Sequence, residues 1–155
     1  MELKLGELSK ENVKEICTWN YSAPYDVYNW PDWDEMDKSE PSLDNKKRKK
    51  MFYSILDDKD FIGFVELNYP KEGLTRIGLG LRPDYCSKGI GKEVVDLIIN
   101  KLKSKHPENK IDLEVLTWNK RALKVYKRTG FKIVETYERK TPTGIGKFHR
   151  MEYKI

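Results

Sequence analysis

The stretch "RPDYCSKGIGKEVVDLIINKL", residues 82–102, sets closely spaced glycines against a long apolar-periodic run. Nothing in a packed core asks for Gly89 and Gly91 two residues apart at the mouth of a helix, so anion binding is the first chemistry to consider. The first amide hydrogens of a helix have no partner inside it, and the macrodipole adds partial positive charge there. Glycine removes the Cβ that would hold a phosphate off the backbone. The amides of Ser87, Lys88, Gly89, Ile90, Gly91 and Lys92 are the candidate donors, with the Lys88 and Lys92 side chains adding charge. A Walker A loop is excluded, because no Gly-Lys-Ser/Thr follows a four-residue gap, and only Gly-x-Gly of the dinucleotide fingerprint is present. On its own, the loop is equally well a tight strand-to-helix turn.

A second constellation, "NKRALKVYKRTGF", spans residues 119–131. Asn119 and Tyr126 are seven residues apart, two helical turns, so they share a face with Ala122 between them. The small Ala122 leaves room for a ligand arm to pass.

Taken together, the two stretches resemble the GCN5-related N-acetyltransferase (GNAT) family. The first is similar to its acyl-CoA pyrophosphate loop, Gln/Arg-x-x-Gly-x-Gly/Ala, and the second to its Asn-x-x-Ala-x-x-x-Tyr-x-x-x-Gly-Phe helix. Their order matches, a strand lies between them, and the resemblance covers roughly residues 48 to 153. One position departs: Cys86 stands where the family has Gln or Arg. The loop holds diphosphate through main-chain N–H groups, so this loss weakens local charge rather than abolishing the site, and Lys88 partly compensates.

The resemblance implies an α/β (α+β) fold with a mixed, largely antiparallel sheet of about six to seven strands, flanked by helices on both faces. It implies acetyl-CoA as cofactor and transfer of its acetyl group to a primary amine by direct attack in a ternary complex. Asn119 is expected on the pantetheine arm, and the main chain of Leu79, Gly80 and Leu81 beside it. Arg121 and Lys127 are expected near the 3′-phosphate. Tyr126 is expected to protonate the departing thiolate. A phenol suits that task, since its unperturbed pKa of about 10 lies close above that of a thiol at about 8.5.

A lysine-like amine has a pKa of about 10.4 and arrives protonated, so a base must relieve it. The strand "LTRIGLGL", where relatives carry a carboxylate, has none. Glu66 and Glu114, on the strands before and after it, are the alternatives, with transfer to bulk water open as well. Gly78 and Gly80 would permit a ligand to approach that strand closely. Residues 21–37, "YSAPYDVYNWPDWDEMD", occupy the segment that builds the acceptor wall in the family. Acids to attract a cation and rings for cation–π contact make Tyr25, Asp26, Tyr28, Trp30, Asp32 and Trp33 its candidates.

The elements that must position these groups follow from periodicity. Ser9 caps a helix expected to run to about Asn20. Strands are expected at Met51–Leu56 and Phe61–Asn68, then at "LTRIGLGL", where Thr75, Ile77, Leu79 and Leu81 alternate. Ile90, Val94, Ile98 and Leu102 recur at spacing four on the helix after the glycines. Ile111, Leu113 and Val115 form a strand; a helix from Asn119 stops at Gly130. Phe131–Glu138 and about Lys147–Lys154 close the chain as strands.

Without repeats or linkers, the 155 residues are expected to form a single domain, 1–155. Two cysteines point to free thiols in a reducing cytosol, and the two histidines are too scattered for a metal site. No apolar run approaches the roughly 20 residues of a membrane span, and no signal peptide is recognisable. The net charge of +5 reflects 30 basic against 25 acidic residues, too modest to require a nucleic-acid partner. "KKRKK" at 46–50 reads as a solvated loop or strand edge. The rival readings are a non-catalytic acyl-CoA sensor, disfavoured by the presence of Tyr126, and a basic RNA-associated protein, which leaves the paired motifs unexplained. The resemblance also allows a homodimer.

Overall fold

The computed structural model describes residues 1–39 and 45–154. In chain order the elements are β1 (Leu3–Gly6), α1 (Lys10–Ile16), a 3-10 turn (Tyr25–Tyr28), α2 (Trp33–Ser39), α3 (Asn45–Met51), β2 (Phe52–Asp57), β3 (Asp60–Asn68), β4 (Leu74–Leu81), a second 3-10 turn (Pro83–Tyr85), α4 (Gly91–Lys105), β5 (Lys110–Leu116), α5 (Lys120–Thr129), β6 (Phe131–Thr141) and β7 (Gly144–Tyr153). The seven strands form one mixed sheet in the order β1-β2-β3-β4-β5-β7-β6. Residues Met1–Glu66 with Leu79–Lys88 make one compact unit, and Leu67–Gly78 with Gly89–Ile155 a second.

In the first unit, Ser9 caps α1 as expected. Its Oγ accepts from the Asn12 N–H and Asn12 Oδ1 accepts from the Ser9 N–H, both at 3.0 Å. The helix ends at Ile16, earlier than the expected Asn20. Thr18 and Trp19 donate back to Glu15 and Ile16 in a tightened last turn. That turn swings Trp19 into a core of Leu8, Val13, Ile16, Phe52, Phe61 and Phe64, where its ring stacks on Phe61 at 5.3 Å between centroids.

"KKRKK" lies in α3, not in a loop or strand, and β2 accordingly starts at Phe52. The buried side of α3 is filled by Arg48, only 9% exposed, whose Nε donates to the Leu8 carbonyl at 3.1 Å. A guanidinium on the inward face leaves no apolar stripe to read. β1 pairs antiparallel with β2, from Leu3 opposite Asp57 to Gly6 opposite Ser54, and is too short for a readable alternation.

In the second unit, β4 and β5 run parallel, with Leu74, Thr75 and Arg76 opposite Lys110, Ile111 and Asp112. β7 pairs antiparallel with both β5 and β6. α4 buries Val94, Val95, Ile98, Ile99 and Leu102, the expected stripe. Gly130 ends α5 with φ of 107°, a left-handed conformation that favours glycine. The β6–β7 hairpin is longer than expected, with ladder pairs continuing to Thr141 opposite Gly144.

One face of β5 in this unit is ionic. Asp112 is fully buried and accepts from Arg76 at both carboxylate oxygens, 3.0 Å each, and from Arg150 at 3.0 Å. Arg150 extends the network to Glu152 at 2.8 Å and Glu135 at 3.1 Å.

Candidate active site

The glycine loop enters α4 at Ile90, the N-cap residue, with φ −93° and ψ −5° and no side chain capping the first turn. Ile90 is buried, so its apolar group anchors the loop at this position. Gly89 has φ of +76°, and a Cβ built there would meet nothing within 4 Å. A left-handed residue followed by a right-handed one turns successive N–H groups toward a common point, an anion-binding concavity. The donor set fits a diphosphate: amides at the start of a fifteen-residue helix, no competing cap, and a residue conformation open to glycine. Ser87 is also left-handed, with φ of 64°. Of the flanking cations, Lys92 pairs with Asp96 at 2.8 Å, while Lys88 lies over the Tyr85 ring at 4.9 Å.

Gly91 corrects the sequence reading that no packed core requires this glycine. A Cβ there would lie 3.0 and 3.1 Å from the two methyl carbons of Val125 on α5. Its absence lets the start of α4 press on α5 one residue before Tyr126, which brings the two sequence motifs together within one unit. The two glycines therefore separate experimentally. Gly89→Ala is expected to cost about 1 kcal/mol of backbone strain and to weaken acetyl-CoA binding, because relief of that strain reorients the amides. Gly91→Val is expected to lower thermal stability by displacing Val125. Calorimetric titration alongside thermal unfolding distinguishes the two, and identical profiles for both variants would contradict this division.

α5 begins at Asn119, which is 7% exposed and whose Oδ1 accepts from the Ala122 N–H at 3.2 Å. Asn119 is thus the N-cap, with φ −80° and ψ 72°, and stands outside the helical periodicity that would align it with Tyr126. Tyr126 is half-buried, its ring edge-on to the buried Phe131 at 5.9 Å. Thr129 Oγ1 bonds back to the Val125 and Tyr126 carbonyls at 3.2 and 2.9 Å. Arg121 and Lys127 are exposed and Ala122 half-buried. On β7, burial first and then Lys120 and Lys127 hold the His149 imidazole below its usual range, so the field of Lys127 is felt there.

The acceptor candidates belong to the other unit. Trp30 is half-buried, its ring 4.9 Å from Phe64 and edge-on to Phe52 at 6.3 Å. Trp33 already carries two cations of this chain, Lys10 at 5.6 Å and Lys14 at 5.4 Å from its ring centroid. Both tryptophans pack on the core. Asp32 accepts from the Glu35 N–H at 3.0 Å, within the first turn of α2. Asp26 and Tyr28 are exposed and Tyr25 half-buried, all on the 3-10 turn.

Leu79, Gly80 and Leu81 are half-buried at the end of β4. Gly80 corrects a second reading: a Cβ there would fall 2.5 Å from Phe64 Cε1, so the space left by this glycine is filled by a ring and not open to a ligand. One long-range contact of this strand end had no sequence signal. The Tyr21 hydroxyl donates to the Leu81 carbonyl at 2.6 Å, across 60 residues of chain.

The two candidate bases differ. Glu66 is half-buried on β3 opposite Phe52. Glu114 accepts from the Tyr137 hydroxyl and from Arg139 at 3.2 Å, with Arg76 at 3.8 Å. Burial, then the Glu114 hydrogen bond, pushes the Tyr137 phenol up to about 12, so it stays a donor to Glu114.

Neither cysteine forms a disulfide, and burial followed by Asp32 raises the Cys17 thiol above its usual range, which lowers its thiolate fraction. Among the described residues no cluster of His, Cys, Asp or Glu is arranged to hold a metal ion. No helix among them is long and apolar enough to cross a membrane.

Comparison with known proteins identifies the family. The Acetyltransferase (GNAT) family matches over residues 12–131. The spermidine N(1)-acetyltransferase of Thermoplasma acidophilum is 26% identical over 149 residues, covering 88% of this chain and 92% of that protein. The fold is shared with the spermidine N-acetyltransferase of Vibrio cholerae in complex with CoA and spermine, at a TM-score of 0.78 and 21% identity, covering 97% of this chain and 94% of that one. A dodecameric structure of the Vibrio cholerae enzyme gives a TM-score of 0.71 at 19% identity, covering 97% and 92%. With a diphosphate-fitting helix mouth packed against the Tyr126 helix and a family match across most of its length, the chain belongs to the GNAT family and is an acetyl-CoA-dependent N-acetyltransferase.

Proposed function

We propose that this enzyme acetylates a primary amino group of a linear polyamine such as spermidine, as a single catalytic domain working in the cytoplasm. The observation that carries the reading is the likeness over 88% of the chain to a spermidine N(1)-acetyltransferase. The exposed acids Asp26, Asp34, Glu35 and Asp37 support it, since a flexible polycation is drawn to closely spaced carboxylates. Trp30 and Trp33 serve that segment by fixing it to the core, and Tyr28, the exposed ring among these candidates, is placed for cation–π contact, with the half-buried Tyr25 on the same turn.

When bound, acetyl-CoA supplies a thioester whose acetyl carbon the amine attacks. The amides of Ser87 to Lys92 grip its diphosphate, and Lys88 substitutes for the cation missing at Cys86. Asn119 starts α5 through its Oδ1 and remains the candidate for contact with the pantetheine arm. Leu79, Gly80 and Leu81 offer main-chain groups beside that arm, and an N–H there stabilises charge on the carbonyl oxygen. Arg121 and Lys127 remain the partners for the 3′-phosphate. Tyr126 delivers its phenolic proton to the departing thiolate.

Of the two bases, Glu66 suits the acceptor better, because it stands on β3 in the unit that carries residues 21–37, whereas Glu114 belongs to the other unit. A polyamine also loses its proton to water readily when several ammonium groups repel one another along one chain. Assembly with further copies is consistent with the dodecamer of the Vibrio cholerae relative.

The test is thiol release from acetyl-CoA in the presence of spermidine or spermine. Turnover is expected with both and with no neutral-backbone amino acid amide. Turnover confined to the amino acid amides would overturn the polyamine assignment.

A further inference from the structure

We infer that Tyr21 is a positioning residue, which clamps the acceptor segment onto the C-terminal end of β4 and so sets how tightly the amine is held. The inference rests on the reading that residues 21–37 form the acceptor wall.

Tyr21 is held from two sides. Its main-chain N–H donates to Asn29 Oδ1 at 2.8 Å, and Asn29 Nδ2 donates to Asn20 Oδ1 at 2.9 Å. These bonds close residues 20–29 into a loop whose tip is the 3-10 turn bearing Tyr25, Asp26 and Tyr28. The side chain then reaches out of the loop, and its hydroxyl donates to the Leu81 carbonyl at 2.6 Å. Leu81 ends β4, the strand expected to run beside the acyl donor. The far end of the same segment is secured separately, by Trp30 against Phe64 and by Phe64 in the space left at Gly80.

The division of labour follows from chemistry. The Trp30–Phe64–Gly80 contact is apolar and supplies packing energy with little directional demand. The Tyr21 bond is directional and part-buried, and its length fixes where the loop sits along β4. Removing the hydroxyl leaves a carbonyl that keeps the Cys86 thiol at 3.7 Å and a ring that still packs, so the fold is expected to survive while the loop is freed. A short exposed loop without that bond samples many positions, and the amine then has to order it on binding.

The experiment uses the full chain and Tyr21→Phe. One hydrogen bond of this type corresponds to about fivefold to tenfold in binding. The spermidine KM is therefore expected to rise by about that factor, with kcat and the acetyl-CoA KM within about twofold of the parent enzyme. A uniform fall in kcat with both KM values unchanged is what lost folded protein would produce, and it would overturn the inference, as would no change at all. If the parent enzyme uses a different primary amine, the polyamine reading fails, and the same split is then expected for that amine. A second readout needs no substrate: amide hydrogen exchange across residues 21–29 is expected to quicken at least fivefold in the variant while β3 exchange holds steady. Unaltered exchange there would sink the clamp whatever the enzyme acetylates.

Discussion

Asp112→Ala is expected to cost about 3 kcal/mol and to lower the melting temperature by about 10 °C. The carboxylate is fully buried and bonds to two guanidinium groups at 3.0 Å, one of them through both of its oxygens. Deleting it leaves Arg76 and Arg150 facing each other with no anion between them. Their side chains are 25% and 17% exposed, so water relieves part of the repulsion, which places the cost at the low end for a broken buried pair. Arg150 also keeps Glu152 and Glu135, whereas Arg76 keeps only the longer contact to Glu114 among the ion pairs described. The damage is therefore expected to fall on the β4–β5 pairing, where Arg76 stands opposite Asp112 in the parallel ladder. Asp112→Asn, which keeps the shape and one acceptor, is expected to lose less than Asp112→Ala. Thermal unfolding of both variants checks the order, and equal melting temperatures for parent and Asp112→Ala would show that the network contributes nothing net.

The contrast between this network and the glycine loop shows what a sequence makes visible. The α4 stripe and the β5 alternation were legible because burial imposes a period on residue type. The helix mouth was legible because glycine and an uncapped first turn are local properties. Asp112 gave no such signal, since a charged residue at an inward strand position is readable only through partners 36 and 38 residues away. α3 was missed for the same reason: its inward residue is Arg48, and the segment's charge suggested solvent on every side.

Aromatic residues posed the opposite difficulty. Trp30 and Trp33 have the right type for a cation cage, and type alone does not say that one faces Phe64 and the other two lysines. Glycines carry a similar ambiguity. Gly89 is demanded by its φ, but Gly80 and Gly91 are demanded by neighbours, a phenyl ring and a valine from distant parts of the chain. A missing side chain marks a close approach without naming what approaches. Tyr21 is the extreme case, because its partner is a main-chain carbonyl and leaves no trace in residue type.

Tyr126→Phe is expected to reduce kcat by about a hundredfold while the acetyl-CoA KM moves by less than about twofold. The variant isolates the hydroxyl, because the ring that packs edge-on against Phe131 at 5.9 Å is retained and α5 keeps its caps at Asn119 and Gly130. The size of the loss follows from the leaving group. A thiol has a pKa of about 8.5, so its conjugate base departs without help far more readily than an alkoxide or amide ion would. Acid assistance is then worth the lower end of its usual range, about 10² rather than 10⁴. The pH profile gives a sharper test than the single rate. Raising pH frees the amine, with an unperturbed pKa of about 10.4, but also strips the proton from a phenolic acid. The parent enzyme is expected to pass through a maximum as these two effects oppose each other. Tyr126→Phe has no acid to lose, so its rate should keep rising with pH until the amine is fully neutral. A descending alkaline limb that persists in the variant would assign the acid to another residue, and an unchanged kcat would mean that the thiolate leaves unprotonated.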